Sequence, residues 1–128
     1  MDMSPLPFAE HLGLQLVSAE KDRIEARMEV TKNLCTRPDI LHGGAVMALA
    51  DTVGAVGAVL NLPEGAGTTT IESKTNFFAA VPMGDTAVAE STPLHVGRTT
   101  MVWQTRVTRA SDGRLAAVVT QTQLVLQK

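Results

Sequence analysis

One carboxylate stands alone in an apolar run. Between Ile40 and Leu62 the only charged side chain is Asp51, and eight residues before it the chain reads His42-Gly43-Gly44-Ala45. An unpaired interior charge is costly, so such a group pairs, neutralises or works. A working carboxylate can attack a carbonyl carbon or take a proton from water. Glycines at the start of a helix offer backbone N–H groups that have no intrahelical acceptor, let a ligand approach closely, and sit at the positive end of the helix dipole. Such N–H groups stabilise the oxyanion that forms when a carbonyl is attacked. Each feature has a plain structural alternative. The glycines could serve only tight packing, and the acid could be paired with an arginine elsewhere or held by backbone N–H groups. Side by side, they are the two parts that acyl transfer requires.

Their spacing implies a second copy of the chain. Eight residues at about 1.5 Å each separate Gly43 from Asp51 by roughly 12 Å along one helix. Attack and oxyanion stabilisation must meet at one carbonyl, each within about 3 Å of the reacting atoms. Two antiparallel copies achieve this, Gly43 of one facing Asp51 of the other, and a two-fold dimer then carries two composite sites. The expectation is an inactive monomer, visible as activity lost on dilution.

These residues need elements to hold them. A short helix is expected over residues 4–11, with Ser4 as cap and Pro5 in the first turn. The runs LGLQLVSAE and RIEARMEVT alternate polar and apolar residues and predict an antiparallel strand pair turning near residues 20–22. Pro38 and Asp39 predict a loop over 32–42. A helix follows from about Gly44 to Leu60, stopped by Asn61 and Pro63, and apolar nearly all round, as a helix wrapped by other elements is. Four strand-like runs complete the chain: TTTIESKTNFF, TAVAESTPLHV, TTMVWQTRVTR and RLAAVVTQTQLVLQ, the last two joined at an Asp112–Gly113 hairpin signal. The order predicts an α+β single domain over residues 1–128, an antiparallel sheet curled round one long hydrophobic helix.

Composition narrows the function classes. The 128 residues are 45% hydrophobic and 19% charged with a net charge of −2, which suits one cored domain and not a nucleic-acid or polybasic membrane binder. The first residues have neither the basic nor the apolar region of a signal peptide. The 40–62 stretch is long enough to span a membrane, but a central Asp costs ~3 kcal/mol there and Gly54 and Gly57 interrupt it, so a buried helix is expected. Cys35 is the only cysteine, and the three histidines (His11, His42, His95) are scattered. A reducing cytoplasm is expected, and no metal. Cys35 has no evident partner base and reads as a bystander. Trp103, Phe77, Phe78 and the methionines read as core or interface packing.

LHGGAVMALADT and the following TTTIESKTNFF resemble hotdog-fold acyl-CoA thioesterases, most closely the phenylacetate-pathway type, over roughly residues 10–127. The resemblance implies a sheet wrapped round the helix, and subunits joined into an extended sheet as a homodimer or a tetramer of stacked dimers. It implies no cofactor beyond the coenzyme A of the substrate. Asp51 matches the nucleophile or general base, Gly43 the glycine that polarises the thioester carbonyl, and His42 the loop histidine beside it, with Gly44 next in the turn. Thr70 falls where some members position the attacking water, or it is simply a strand hydroxyl. Members often carry Asn or Gln six residues before the histidine. Here that position is Thr36, so either Thr36 substitutes or the loop brings in Asn33. HVGRTT resembles the segment that meets coenzyme A, which makes Val96, Gly97 and Arg98 candidate contacts. Arg109 and Arg114 are further candidates, and a β-bulge glycine beside a solvated arginine is the structural alternative. Two rivals remain: a non-catalytic acyl-CoA-binding domain, and an acyl-thioester hydratase or dehydratase, which would need a His–acid pair.

Overall fold

The computed structural model describes residues 6–127. The elements run α1 (Pro7–His11), β1 (Leu14–Glu20), β2 (Arg23–Glu29), a 3-10 turn (Lys32–Leu34), β3 (Cys35–Thr36), β4 (Ile40–Leu41), α2 (Gly43–Leu60), β5 (Gly67–Phe77), β6 (Thr86–Val96), β7 (Thr100–Arg109) and β8 (Leu115–Leu126). Six strands form one sheet in the order β1-β2-β6-β7-β8-β5, with every neighbouring pair antiparallel. The sheet curls round α2, which touches five of the six strands through several residues each and β1 more lightly. This is the antiparallel sheet curled round one helix that the order of elements predicts, and the hotdog arrangement that the resemblance implies.

Period-two patterning decides which face of each strand is buried. In β2, Ile24, Ala26 and Met28 are fully buried while Glu25, Arg27 and Glu29 point away. Alternate residues of β7, including Met101, Trp103 and Val107, meet the helix in the same way. The opposing face of α2 consists of Val46, Leu49, Ala50, Val53, Gly54, Gly57 and Ala58. By length and composition α2 could cross a membrane, yet it is the core helix of this sheet.

Gly54 and Gly57 do not interrupt the helix. A Cβ on Gly57 would lie 2.5 Å from the Trp103 ring, and one on Gly54 would lie 2.2 Å from Gln121 Oε1. The glycines are notches for large side chains of the sheet.

Three expectations change and a fourth narrows. The first helix starts at Pro7, which takes the first-turn place assigned to Pro5, while Ser4 and Pro5 lie outside the described residues. The 32–42 loop contains a 3-10 turn and a minimal hairpin, Cys35 and Thr36 pairing with Leu41 and Ile40 round Asp39, whose φ of 60° an aspartate tolerates. α2 is not apolar-wrapped on all sides, because Met47, Val59 and Leu60 on its outer face are exposed. Of the residues expected in the core or at an interface, Trp103 is in the core, while Phe77 and Phe78, at 53% and 56% exposure, lie outside it, which leaves them the interface half of that expectation.

Candidate active site

Asp51 sits mid-helix on the side of α2 that turns from the sheet towards α1, half-buried. Its Oδ1 accepts a hydrogen bond from Thr70 Oγ1 of β5 at 2.8 Å. Gln121 Nε2 of β8 points at the Asp51 carbonyl oxygen (3.3 Å) and, more distantly, at Oδ1 (3.5 Å). Among the described residues no cation pairs with Asp51, and its Oδ2 has no partner. The structural alternative of an acid buried in a salt bridge is therefore not what the fold contains. Instead the carboxylate borders an open groove of about 490 Å³ between α1 and α2, lined by Leu6, Phe8, Ala55, Val56, Val59 and Leu60 among others. Thr52, the other polar residue there, donates its hydroxyl proton to Ala48 O at 2.8 Å.

The glycine turn starts α2. His42 is the N-cap: its carbonyl accepts from Ala45 and Val46, and its Nδ1 accepts from Gly44 N–H at 2.8 Å. The histidine thus stabilises the helix end as a polar cap does. Gly44 spends its N–H on that bond. Gly43, the first residue of the helix, has an N–H with no acceptor among the described residues. Phe77, at the far end of β5, lays its ring edge over Gly43, where an added Cβ would come within 3.2 Å of Cζ. A second depression, about 250 Å³, adjoins the turn and is lined by Phe8, Asn33, Leu34, Cys35, His42 and Gly44 among others. Asn33 is thus beside the turn, its Oδ1 accepting from Thr31 Oγ1, while the exposed Thr36 pairs with Ile40 and does not line that depression.

Val96, Gly97 and Arg98 lie elsewhere, at the β6–β7 turn beside the C-terminal end of α2. With Asn61, Leu62, Pro63, Thr99 and Gln127 they border a broad depression of about 930 Å³. Gly97 N–H bonds to Thr100 O at 2.9 Å, and a Cβ at Gly97 would lie 2.9 Å from that same backbone oxygen, so the turn itself favours glycine. The bulge of this pair lies between Pro93 and His95 instead. Arg98 is exposed and uses only its carbonyl, which accepts from Gln127. Arg109 is committed to Asp112 and to Ala80 O, and Arg114 lies in the same hairpin turn.

Sequence reasoning missed Phe8, which lines both the Asp51 groove and the glycine-turn depression, and the buried glutamines Gln121 and Gln123. A glutamine at an inward-facing position of an otherwise apolar strand was the available signal for the last two. Phe8 carried none, because its place depends on how α1 folds back on α2.

With this geometry in view, comparison with known proteins is direct. Residues 39–116, which include the glycine turn, Asp51 and Thr70, match the model of the thioesterase superfamily. A 1,4-dihydroxy-2-naphthoyl-CoA hydrolase of Listeria monocytogenes is 31% identical over 104 residues, covering 80% of this chain and 83% of that protein. A crystal structure of a thioesterase from Haemophilus influenzae superposes with a TM-score of 0.87 at 31% identity, over 94% of this chain and 82% of that one. The Escherichia coli PaaI protein of the phenylacetic acid degradation operon has the same fold, with a TM-score of 0.87 at 21% identity over 94% and 85% of the two chains. A helical acid with one free oxygen, a helix start with one free N–H, and a match spanning both make this chain a member of the thioesterase superfamily, a hotdog-fold thioester hydrolase.

Proposed function

We propose that the chain hydrolyses acyl-CoA thioesters at composite sites, Asp51 of one protomer acting with the Gly43 turn of its partner. The observation that carries this is the Asp51 carboxylate, held by a hydroxyl, unpaired by any cation among the described residues, and open to an apolar groove. Within one chain Gly43 and Asp51 lie roughly 12 Å apart along α2, too far to act on one carbonyl.

The edge strand supports the dimer. β5 ends the sheet, its residues Ile71, Glu72, Ser73 and Lys74 are exposed, and its outer N–H and C=O groups are a template for pairing. It carries Thr70 against Asp51 and Phe77 against Gly43. An antiparallel two-fold pairing of β5 with its copy, centred between Ser73 and Lys74, sets Thr70 opposite the partner's Phe77. That register brings each Asp51 towards the other chain's glycine turn, and the dimer is the smallest working unit.

In the reaction, Gly43 N–H takes the developing oxyanion while Asp51 either attacks the thioester carbon or deprotonates the attacking water. In the first route the C–S bond breaks as the thiolate leaves, and water then cleaves the acyl-Asp51 anhydride. In the second, water adds directly. Both consume one water and release the acid and coenzyme A, so the chemistry calls for no cofactor. Asn33 and His42 shape the turn, and Val96, Gly97 and Arg98 meet the coenzyme. The whole chain acts as one domain, in a cytoplasm that suits the free Cys35. A hydratase role is disfavoured because the His42 ring is committed to the helix cap.

Free-thiol release from a panel of acyl-CoAs tests the activity, and Asp51→Asn should lower kcat at least about a hundredfold. Gly43→Pro is the matching change on the other side. It deletes the N–H without breaking the helix, because proline suits the first helical position and His42, at φ −62° and ψ 136°, is already in the conformation a proline requires before it. Any Cβ here comes within 3.2 Å of the Phe77 ring, so Gly43→Ala, which adds that contact and keeps the N–H, is the control. The proline change should cost about 10²–10³-fold in kcat. Mixed and reassociated, the two inactive variants should regain activity, since each heterodimer holds one intact site. No recovery in demonstrably mixed dimers refutes the composite site, and hydrolysis surviving Asp51→Asn leaves only a binding domain or another chemistry.

A further inference from the structure

Two glutamines lie fully buried on β8 beneath Asp51, at positions whose same-face neighbours are Val119 and Val125. A buried amide is costly unless its donors and acceptors are used. Gln123 meets that requirement in one direction. Its Nε2 donates to Thr70 Oγ1 at 2.6 Å, and Thr70 Oγ1 donates to Asp51 Oδ1 at 2.8 Å. Its Oε1 lies 3.0 Å from Thr68 Oγ1, whose one proton it shares with Leu124 O, also at 3.0 Å. A carboxylate only accepts, so Thr70 spends its single proton on Asp51 and is left to accept from behind, where, among the described residues, the amide nitrogen of Gln123 donates. Gln121 Nε2 approaches the same side of the acid, at the carbonyl and Oδ1.

The strand register provides this. Thr70 pairs directly with Gln123 and Thr68 with Val125, so ordinary alternation puts both hydroxyls on the face of the buried amide. The register shifts only after Thr70, where Ile71 has no partner and is exposed.

We infer that Thr68, Gln123 and Thr70 form a hydrogen-bond relay that positions the reacting acid, anchoring Asp51 Oδ1 from within the sheet so that Oδ2 is the oxygen presented to the thioester. The inference rests on Asp51 being the reacting carboxylate. Thr70 and Gln123 are positioning residues, acting through Asp51. A carboxylate pinned at one oxygen loses the freedom to turn its lone pairs away from the carbonyl, and that loss of freedom is made once, on folding.

Three variants test the relay against Asp51→Asn as reference, each first checked for an unchanged thermal midpoint and dimer mass. Thr70→Val keeps the volume and removes the hydroxyl. It should lower kcat about tenfold or more, the scale of one hydrogen bond to a charged group, with KM within about twofold. Thr70→Ser should restore most of that loss. Gln123→Met is close in volume and removes the donor behind Thr70, which frees the Thr70 hydroxyl to turn away from Asp51. It should lower kcat in the wild-type background and add nothing in Thr70→Val, the coupling expected of one relay. If Gln123→Met does not fold, the Thr70 pair decides. An unchanged kcat in Thr70→Val, or equal losses in Val and Ser, overturns the relay while an inactive Asp51→Asn keeps the site. Activity surviving Asp51→Asn overturns the assignment of the acid itself.

Discussion

Single residues in α2 are chosen by what stands opposite them. A Gly→Ala change inside a helix normally stabilises by about 1 kcal/mol. At Gly57 the sign reverses, because the new methyl would lie 2.5 Å from the ring of Trp103, which is fully buried and has no room to retreat. Gly57→Ala should therefore destabilise by about 1–3 kcal/mol, the cost of overpacking, read as a lower urea midpoint at an unchanged slope. A midpoint that rises would mean that Trp103 can move aside. Asp51 obeys the same logic with polar groups: its neighbours are a hydroxyl and an amide from two strands, which satisfy one oxygen and leave the other open.

Among the elements, α1 and the outer face of α2 build the groove that Asp51 borders. Leu6, Phe8, Val59 and Leu60 are all substantially exposed apolar residues gathered on one groove that begins at Asp51. The Thr52 proton is already spent on Ala48, so the described lining offers an acyl group no free side-chain donor. A hydroxylated acyl chain entering that groove gives up its hydrogen bonds to water and gains none, at a cost of about 1–3 kcal/mol. Hexanoyl-CoA should accordingly exceed 6-hydroxyhexanoyl-CoA in kcat/KM by about tenfold or more. Equal values would mean that the acyl chain lies elsewhere.

Across the whole molecule, one carboxylate ties two distant turns together and a second braces the β7–β8 turn from within. Asp85, just before β6, accepts from Ser111 Oγ at 2.6 Å and Ser111 N–H at 3.1 Å in the β7–β8 turn, and from Thr86 N–H at 2.8 Å. The hydroxyl of Ser111 above all holds the Asp85 carboxyl below its ordinary 3.8. Asp112, bonded to the Arg109 guanidinium and to Arg114 N–H, is brought down to about 2. A carboxylate whose pKa is lower in the folded state adds stability above its unfolded pKa and loses it as pH falls through the folded value. The urea midpoint should thus fall as pH is lowered from about 5 towards 2, and Asp85→Asn should flatten the curve. Asp112 is exposed and Asp85 partly so, so the effect is modest and weakens with salt. A wild-type midpoint constant over that range would refute the tie.

The strand faces, the long helix, its start at the glycine turn and the isolation of Asp51 were legible in the sequence, because period and composition are local properties that need no partner. The separation of Gly43 from Asp51 was legible too, since helical rise is constant. Only the tertiary structure decided that Asn33 and not Thr36 borders the depression beside the turn, that Phe77 covers Gly43 although it is exposed, and that Gln123 reaches Asp51 through Thr70. Each of those facts depends on a tight hairpin, a curled edge or the register of two strands distant in sequence, where a small change in backbone direction moves a side chain by several ångströms. Hydrophobic pattern is blind to such changes, because it records which side of an element is buried and not which atoms meet there.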